Sequence, residues 1–345
     1  MVSEEKDIRQ LMEELVEDSE AIPFSRLYLL SDLAKARWTA FQQVWQTLPT
    51  EQRRRLIQGL VDLAEASFQV NFDAIFRYCM QDPDPEVRAA AINGLWENEE
   101  VTLIGPLLAA LRSDPSAQVR AAAAMGLGRY VLAGELEQIE PPVQARITEE
   151  LMSTVHLAGE SVEVRRRAVE SAAYACTPEV LDALEMAYFD EDAGMRLSAI
   201  VGMGRSCDRR WQTIILTELQ SNSTAMRYEA ALASGEMMLR SAVPILARLI
   251  EDADPQVRDA TIWALGQIGG QEAKDLLLDA YEDADEYMAS AIEEALAEQA
   301  LVEGELDFTL YAVDPDSPKD LLWLDEEDAD ELDEEDMDDF DEEWE

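Results

Sequence analysis

The residues of this chain best suited to chemistry are arginines and acids at a recurrent spacing. Arg88, Arg120, Arg165, Arg196, Arg227 and Arg258 each follow an apolar residue, and Asp82, Asp84, Asp114, Asp252 and Asp254 stand a few positions ahead of three of them. An acid at a turn caps the helix that follows, and an arginine one turn inside that helix can bridge acids of its own and neighbouring segments. That is structural rather than catalytic chemistry, so Arg88, Arg120, Arg196, Arg227 and Arg258 read as a ladder. His156 is the only histidine, which leaves no His pair for a zinc site and a single residue on which to build a Ser-His-Asp arrangement. Cys79, Cys176 and Cys207 are scattered and odd in number, as expected of reduced thiols. The expectation is no catalytic, cofactor or metal site.

The elements that carry these residues repeat. Successive anchor arginines from Arg258 back to Arg88 lie 31, 31, 31, 45 and 32 residues apart, and one further step forward reaches Met288-Ala289. A fixed period of a few tens of residues is the signature of a solenoid. Around each arginine, offsets −1, +3, +4 and +7 are mainly apolar, as in Val87, Ala91, Ile92 and Leu95, which places them on one helical face. The preceding segments, such as 101–112 and 241–251, are amphipathic, and Pro106 and Pro244 both fall 14 residues before the next anchor. Each repeat is therefore a helix hairpin. Glycine at +8 (Gly128, Gly204, Gly235, Gly266) permits close helix approach or a helix end.

The pattern Asp-Pro-x-x-x-Val-Arg-x-x-Ala-x-x-x-Leu-Gly, nearly whole in 113–128 and 252–266, resembles HEAT-type repeats, in the short variant known from phycobilisome lyases. The resemblance implies an all-α, right-handed superhelical solenoid whose anchor-bearing helices line the concave side. It extends to deoxyhypusine hydroxylases, which bind iron through His-Glu pairs, but no His-Glu pair occurs here, and no lyase residue maps onto this chain. HEAT-like DNA glycosylases need a basic cleft that so acidic a body does not supply.

The expected organisation is an N-terminal helical cap over 1–81, about seven repeats over 82–300, and an extended linker with an acidic tail over 301–345. Residues 4–18 read as a short amphipathic helix. The long 45-residue interval is assigned to an inserted loop at 131–144, containing Gly134 and Pro141-Pro142, either a binding edge or a tolerated excursion. At 282–300 the anchor arginine becomes Ala289 and the buried +4 position becomes Glu293, as a capping repeat requires. The segment 303–313 reads as extended. Residues 325–345 hold 16 acidic and no basic residues and are expected to be disordered, either a solubilising tail or, through Leu332, Met337, Phe340 and Trp344, an acidic-hydrophobic binding segment. The tail lacks the glycine and spacing of an EF-hand loop, so only diffuse cation binding would follow.

Net charge is −47, with 27 Lys and Arg against 74 Asp and Glu. Such a surface repels phosphates, which argues against direct nucleic-acid binding and favours basic partners. No run reaches a membrane span and MVSEEKDIRQ is too acidic for a secretory signal, so a cytoplasmic, monomeric protein is expected. On the anchor helices, offsets +2, +5 and +9 point away from the apolar stripe. At +5 stand Asn93, Met125, Glu170, Val201, Leu232 and Trp263, four of them apolar where solvent is expected. Met125, Val201, Leu232 and Trp263, with Tyr228, are the candidate partner-binding residues, unless tight winding buries them. Arg129 and Arg205 at +9, with Arg165, Arg166 and Arg167, form a basic island, either a positive centre in the groove or balanced surface charge. The reading is a non-enzymatic scaffold or adaptor for protein partners. The alternatives are a bilin-lyase-like enzyme or chaperone, and an acidic decoy for nucleic-acid-binding proteins.

Overall fold

The computed structural model describes residues 10–12, 24–282 and 284–302. The helix expected at 4–18, the extended segment at 303–313 and the acidic tail lie outside these residues or almost wholly so. The described residues form helices and short 3-10 turns, with no strand among them. The chain divides into two units, Met1–Leu296 and Ala297–Glu345. No described helix is long and apolar enough to cross a membrane.

In the first unit, α1 (Lys35–Thr47) and α2 (Thr50–Ala66) precede the array. Hairpins then follow: α3 (Asp73–Cys79) with α4 (Pro85–Gly94), α5 (Ile104–Ser113) with α6 (Ala117–Glu135), and α7 (Pro141–His156) with α8 (Val162–Ala172). After these come α9 (Pro178–Tyr188) with α10 (Ala193–Ser206), α11 (Gln212–Glu218) with α12 (Thr224–Glu236), and α13 (Val243–Leu249) with α14 (Pro255–Ile268). A last hairpin joins α15 (Gln271–Glu282) to α16 (Glu286–Val302). From α4 to α14 the even-numbered helices carry the anchors, and from α2 to α14 they pack on one another in series, while the odd-numbered helices touch one another far less. This is the solenoid of helix hairpins that the period predicts.

At α4 and α14 the helix start is written in the Asp-Pro pattern, and the other anchor helices begin after a serine or aspartate. Asp84 accepts the amides of Glu86 and Val87, Asp254 that of Gln256, and Asp192 that of Met195, while Pro85 and Pro255 occupy the first helical position, where a missing N–H costs nothing. The earlier acid holds the turn: Oδ1 of Asp82, Asp114 and Asp252 accepts the amide two residues on, at 2.9, 2.9 and 3.0 Å. The apolar stripe is buried, with Val87, Ala91 and Leu95 fully shielded. Glycine at +8 lies within each helix, and the reason is close approach: a Cβ on Gly204, Gly235 or Gly266 would meet the Cα of Ala233, Ala264 or Ala295 on the next anchor helix at 2.9, 3.0 and 3.2 Å. Side chains there would force consecutive helices apart.

The segment 131–144 is not a loop. Helix α6 continues to Glu135 and α7 begins at Pro141, so only 136–140 connect them. Pro141 and Pro142, assigned to that loop, stand instead at the first turn of α7, and Gly134 lies where a Cβ would strike the side chain of Gln144. The surplus lengthens two helices. In α16, Glu293 is exposed and accepts a hydrogen bond from the Tyr281 hydroxyl at 2.6 Å.

Candidate partner-binding face

The arginine ladder fixes how the anchor helices stack. Arg88, Arg120, Arg196, Arg227 and Arg258 each donate from Nη1 to the carbonyl six residues earlier, at 2.8, 2.7, 2.8, 3.0 and 2.8 Å. Their own-repeat partner is therefore a turn carbonyl, not a carboxylate. The remaining fork of Arg88 grips Asp114 of the next repeat with two bonds of 2.8 Å. Arg120 holds Glu160 at 2.9 and 2.7 Å, and Arg227 holds Asp252 at 2.8 and 2.9 Å. In α2, Arg54 grips Asp84 in the same way at 2.9 and 2.7 Å, tying the first helices to the array. These guanidiniums hold the carboxyls of Asp84, Glu160 and Asp252 below the usual carboxylate range. For Asp114 burial opposes the Arg88 bonds, yet its carboxyl is still lowered.

On the face the anchor helices present away from their partners, the +5 residues differ. Met125 is 46% exposed and Trp263 37%, Asn93 is exposed, Val201 and Leu232 are half-buried, and Glu170 is buried. Tyr228 is half-buried. The Trp263 ring lies over Gly235, whose missing side chain leaves its place, since a Cβ there would sit 2.6 Å from the ring.

Sequence reasoning missed Trp96, 45% exposed, at the +8 offset that glycine holds in other repeats. With Met125, Leu132, Arg129, Tyr174 and Arg205 it lines a pocket of ≈ 400 Å³ across α4, α6, α8 and α10. Arg129 anchors one side by donating to the carbonyls of Leu95 and Trp96 at 2.7 and 3.1 Å, with its guanidinium 5.0 Å from the Tyr130 ring centre. Its Nε and Nη2 are buried and make no hydrogen bond among the described residues. Arg205 donates to the Glu170 carbonyl at 3.0 Å and lies over the Tyr174 ring at 5.3 Å.

The structure thus brings Arg129 and Arg205 to one pocket but sends Arg165, Arg166 and Arg167 elsewhere. Arg165 donates to the Val155 carbonyl at 2.8 Å. Arg166 bonds Ser198 at 3.0 Å and Glu163 at 2.9 Å. Arg167 bridges Glu163 and Glu170, both at 2.9 Å. Beside them Glu229 is half-buried, and desolvation together with Glu170 raises its carboxyl to about 7 against the opposing pull of Arg205. Glu236 is solvent-accessible yet crowded by the anchor helices, and burial raises it as well. The middle of this face is a mixed array with carboxylates prominent.

The arrangement offers apolar contact area and charges of both signs. Among the described residues no cluster of three or more His, Cys, Asp or Glu is placed to hold a metal ion.

The family model described as HEAT repeats matches residues 72–141 and 213–297. No curated protein matches the chain. Solved structures similar to it include Escherichia coli YibA, 17% identical over 70% of this chain and 95% of that one, with a TM-score of 0.40. Human deoxyhypusine hydroxylase is 16% identical over 87% of this chain and 98% of that one, with a TM-score of 0.34. Importin beta is 15% identical over 86% of this chain and 44% of its own, with a TM-score of 0.42. The two matched regions, 72–141 and 213–297, are HEAT repeats by that model, and both fall within the stacked helix hairpins.

Proposed function

We propose that this array of HEAT repeats is a non-enzymatic scaffold that binds protein partners on its anchor-helix face. The observation that carries the reading is the pocket walled by Trp96, Met125 and Leu132, three large apolar side chains left open to solvent on an otherwise strongly charged chain. An aromatic anchor beside a fixed arginine is the composition of an interface hot spot. Further along the same face Trp263 and the half-buried Leu232 and Tyr228 continue the apolar surface, while Glu170, Glu229 and Glu236 favour a basic segment over an acidic one. The partner that fits is a protein segment with apolar and basic side chains interleaved.

Affinity enrichment with the full chain as bait tests this reading. The partners recovered by wild type should fall by about tenfold or more with Trp96→Ser/Met125→Ser, the loss expected of hot-spot truncation. Met186→Ser, on the odd-numbered α9 and 70% exposed, should leave them unchanged. Equal recovery by all three proteins would sink the proposal.

A further inference from the structure

Among the described residues two rungs of the arginine ladder lack a carboxylate from the next repeat, those of Arg196 and Arg258; for Arg258 the matching position, 283, lies outside the described residues, whereas for Arg196 it is described. In Arg88, Arg120 and Arg227, Nη1 holds a turn carbonyl while Nε and Nη2 hold a carboxylate of the next repeat. Arg196 keeps the first half, donating to the carbonyls of Asp190 and Glu191 at 2.8 and 2.9 Å. Its Nε and Nη2 have no hydrogen-bond or ion-pair partner among the described residues. The acid of the Arg227 rung lies 25 residues beyond its arginine, and the residue 25 beyond Arg196 is Ser221. Ser221 still does the local work of that acid, since its Oγ accepts the Ser223 amide at 3.4 Å and its carbonyl accepts from Arg227 at 3.0 Å. A serine hydroxyl brings neither the charge nor the two oxygens that a guanidinium fork takes.

The surface opens where the rung is broken. A cavity of ≈ 790 Å³ lies between the two repeats, lined among others by Arg196, Arg166, Ser221, Ser223, Met226 and Phe189. Phe189 is 72% exposed, held edge-on against Tyr188 with ring centres 5.0 Å apart. The acid that lines this cavity, Glu218, is engaged, and so is Glu163, the acid paired with the lining Arg166. Glu218 accepts the Tyr188 hydroxyl at 2.6 Å, and Glu163 accepts from Arg166 at 2.9 Å. Gly194 lets Arg166 lie across the first turn of α10, since a Cβ there would sit 2.8 Å from Nη1.

We propose that the free fork of Arg196 is a docking site for an aspartate or glutamate side chain of a partner protein, with a neighbouring apolar residue of that partner packing on Phe189. The chemistry is that of the intact rungs: two parallel charge-assisted bonds from Nε and Nη2 to one carboxylate, supplied in trans where the chain has replaced its own acid by serine. This site shares no lining residue with the Trp96 pocket and does not rest on the function proposed for it.

The probe is the peptide acetyl-Ala-Asp-Pro-Asp-Phe-amide, which copies the Asp-Pro turn of the intact rungs and adds the aromatic residue. Its addition to the full-length protein near 0.15 M salt should move the Nε–H resonance of Arg196 saturably, and the analogue with asparagine for both aspartates should not. Ser221→Asp should complete the rung from within, raising Tm by about 2–4 °C while weakening the peptide by about tenfold or more. Arg196→Lys retains the charge and a donor for the turn carbonyls but lacks the fork, and should lose the peptide to a similar extent. An unmoved Arg196 resonance, an equal shift with the asparagine peptide, undiminished binding by Ser221→Asp, or a lowered Tm in that variant would each overturn the proposal.

Discussion

Replacing Arg227 by alanine is expected to lower unfolding stability by ~2–3 kcal/mol, and replacing Arg196 by alanine to lower it by only ~1 kcal/mol. The difference lies in what each leaves behind. Arg227→Ala strands Asp252, whose side chain is 9% exposed and loses both bonds to the guanidinium, together with the Ser221 carbonyl. Arg196→Ala releases two turn carbonyls that water can reach. Because a solenoid holds through nearest neighbours, the loss should concentrate at the α12–α14 junction, where amide exchange should quicken most. The Asp252 carboxyl is lowered in the fold by Arg227, so its contribution is complete above the unfolded carboxylate range and fades as pH falls below about 4. Urea midpoints for wild type and Arg227→Ala should therefore converge on acidification. Equal losses for the two alanine variants at neutral pH would contradict the ladder as described.

Glu229→Gln is expected to act in the opposite sense and stabilise the protein by ~1–2 kcal/mol at pH 8, a figure reduced for partial solvent screening. The carboxyl faces Arg167 and Glu170 from α8, Arg205 from α10 and Glu236 from its own helix, and burial with Glu170 raises it to about 7. A carboxyl whose folded value lies above its unfolded one takes up a proton on folding. Its ionisation costs nothing below the unfolded range, weakens the fold as pH climbs from about 4.5 through 7, and costs the full amount above that. Wild type should thus gain stability between pH 8 and 5.5. Relief of self-repulsion in a chain of net charge −47 acts in the same direction, so the informative quantity is the difference between wild type and Glu229→Gln. That difference should vanish near pH 4.5; a difference independent of pH would place the titration elsewhere.

The repeat was legible because its causes are local. An acid, a proline, an apolar residue and an arginine at fixed offsets specify a turn, a cap and the first turn of a helix, and the glycine at +8 is set by the backbone of the following anchor helix. What stayed hidden depends on the third dimension. Glu160 completes the Arg120 rung from 40 residues away, because the lengthened α6 and α7 intervene where other rungs span 25 or 26. Arg54 joins the ladder from a helix without the repeat pattern. Pro141 and Pro142 signal a break in chain direction equally well whether a loop or a helix follows. Trp96 escaped attention at an offset elsewhere occupied by glycine. The three consecutive arginines at 165–167 looked like one cluster in sequence, yet successive helical positions point about 100° apart: Arg165 takes the Val155 carbonyl, while Arg166 and Arg167 share Glu163 and reach on to Ser198 and Glu170 respectively.

The anchor-helix face is tested most directly by photo-crosslinking the full chain, with a photoreactive residue placed at position 125, 263 or 186 in turn. Scaffold binding on this face predicts the same crosslinked partner from positions 125 and 263, abolished at 125 by Trp96→Ser, and no such product from position 186 on α9. A partner captured from 186 and absent from 125 and 263 would contradict the account.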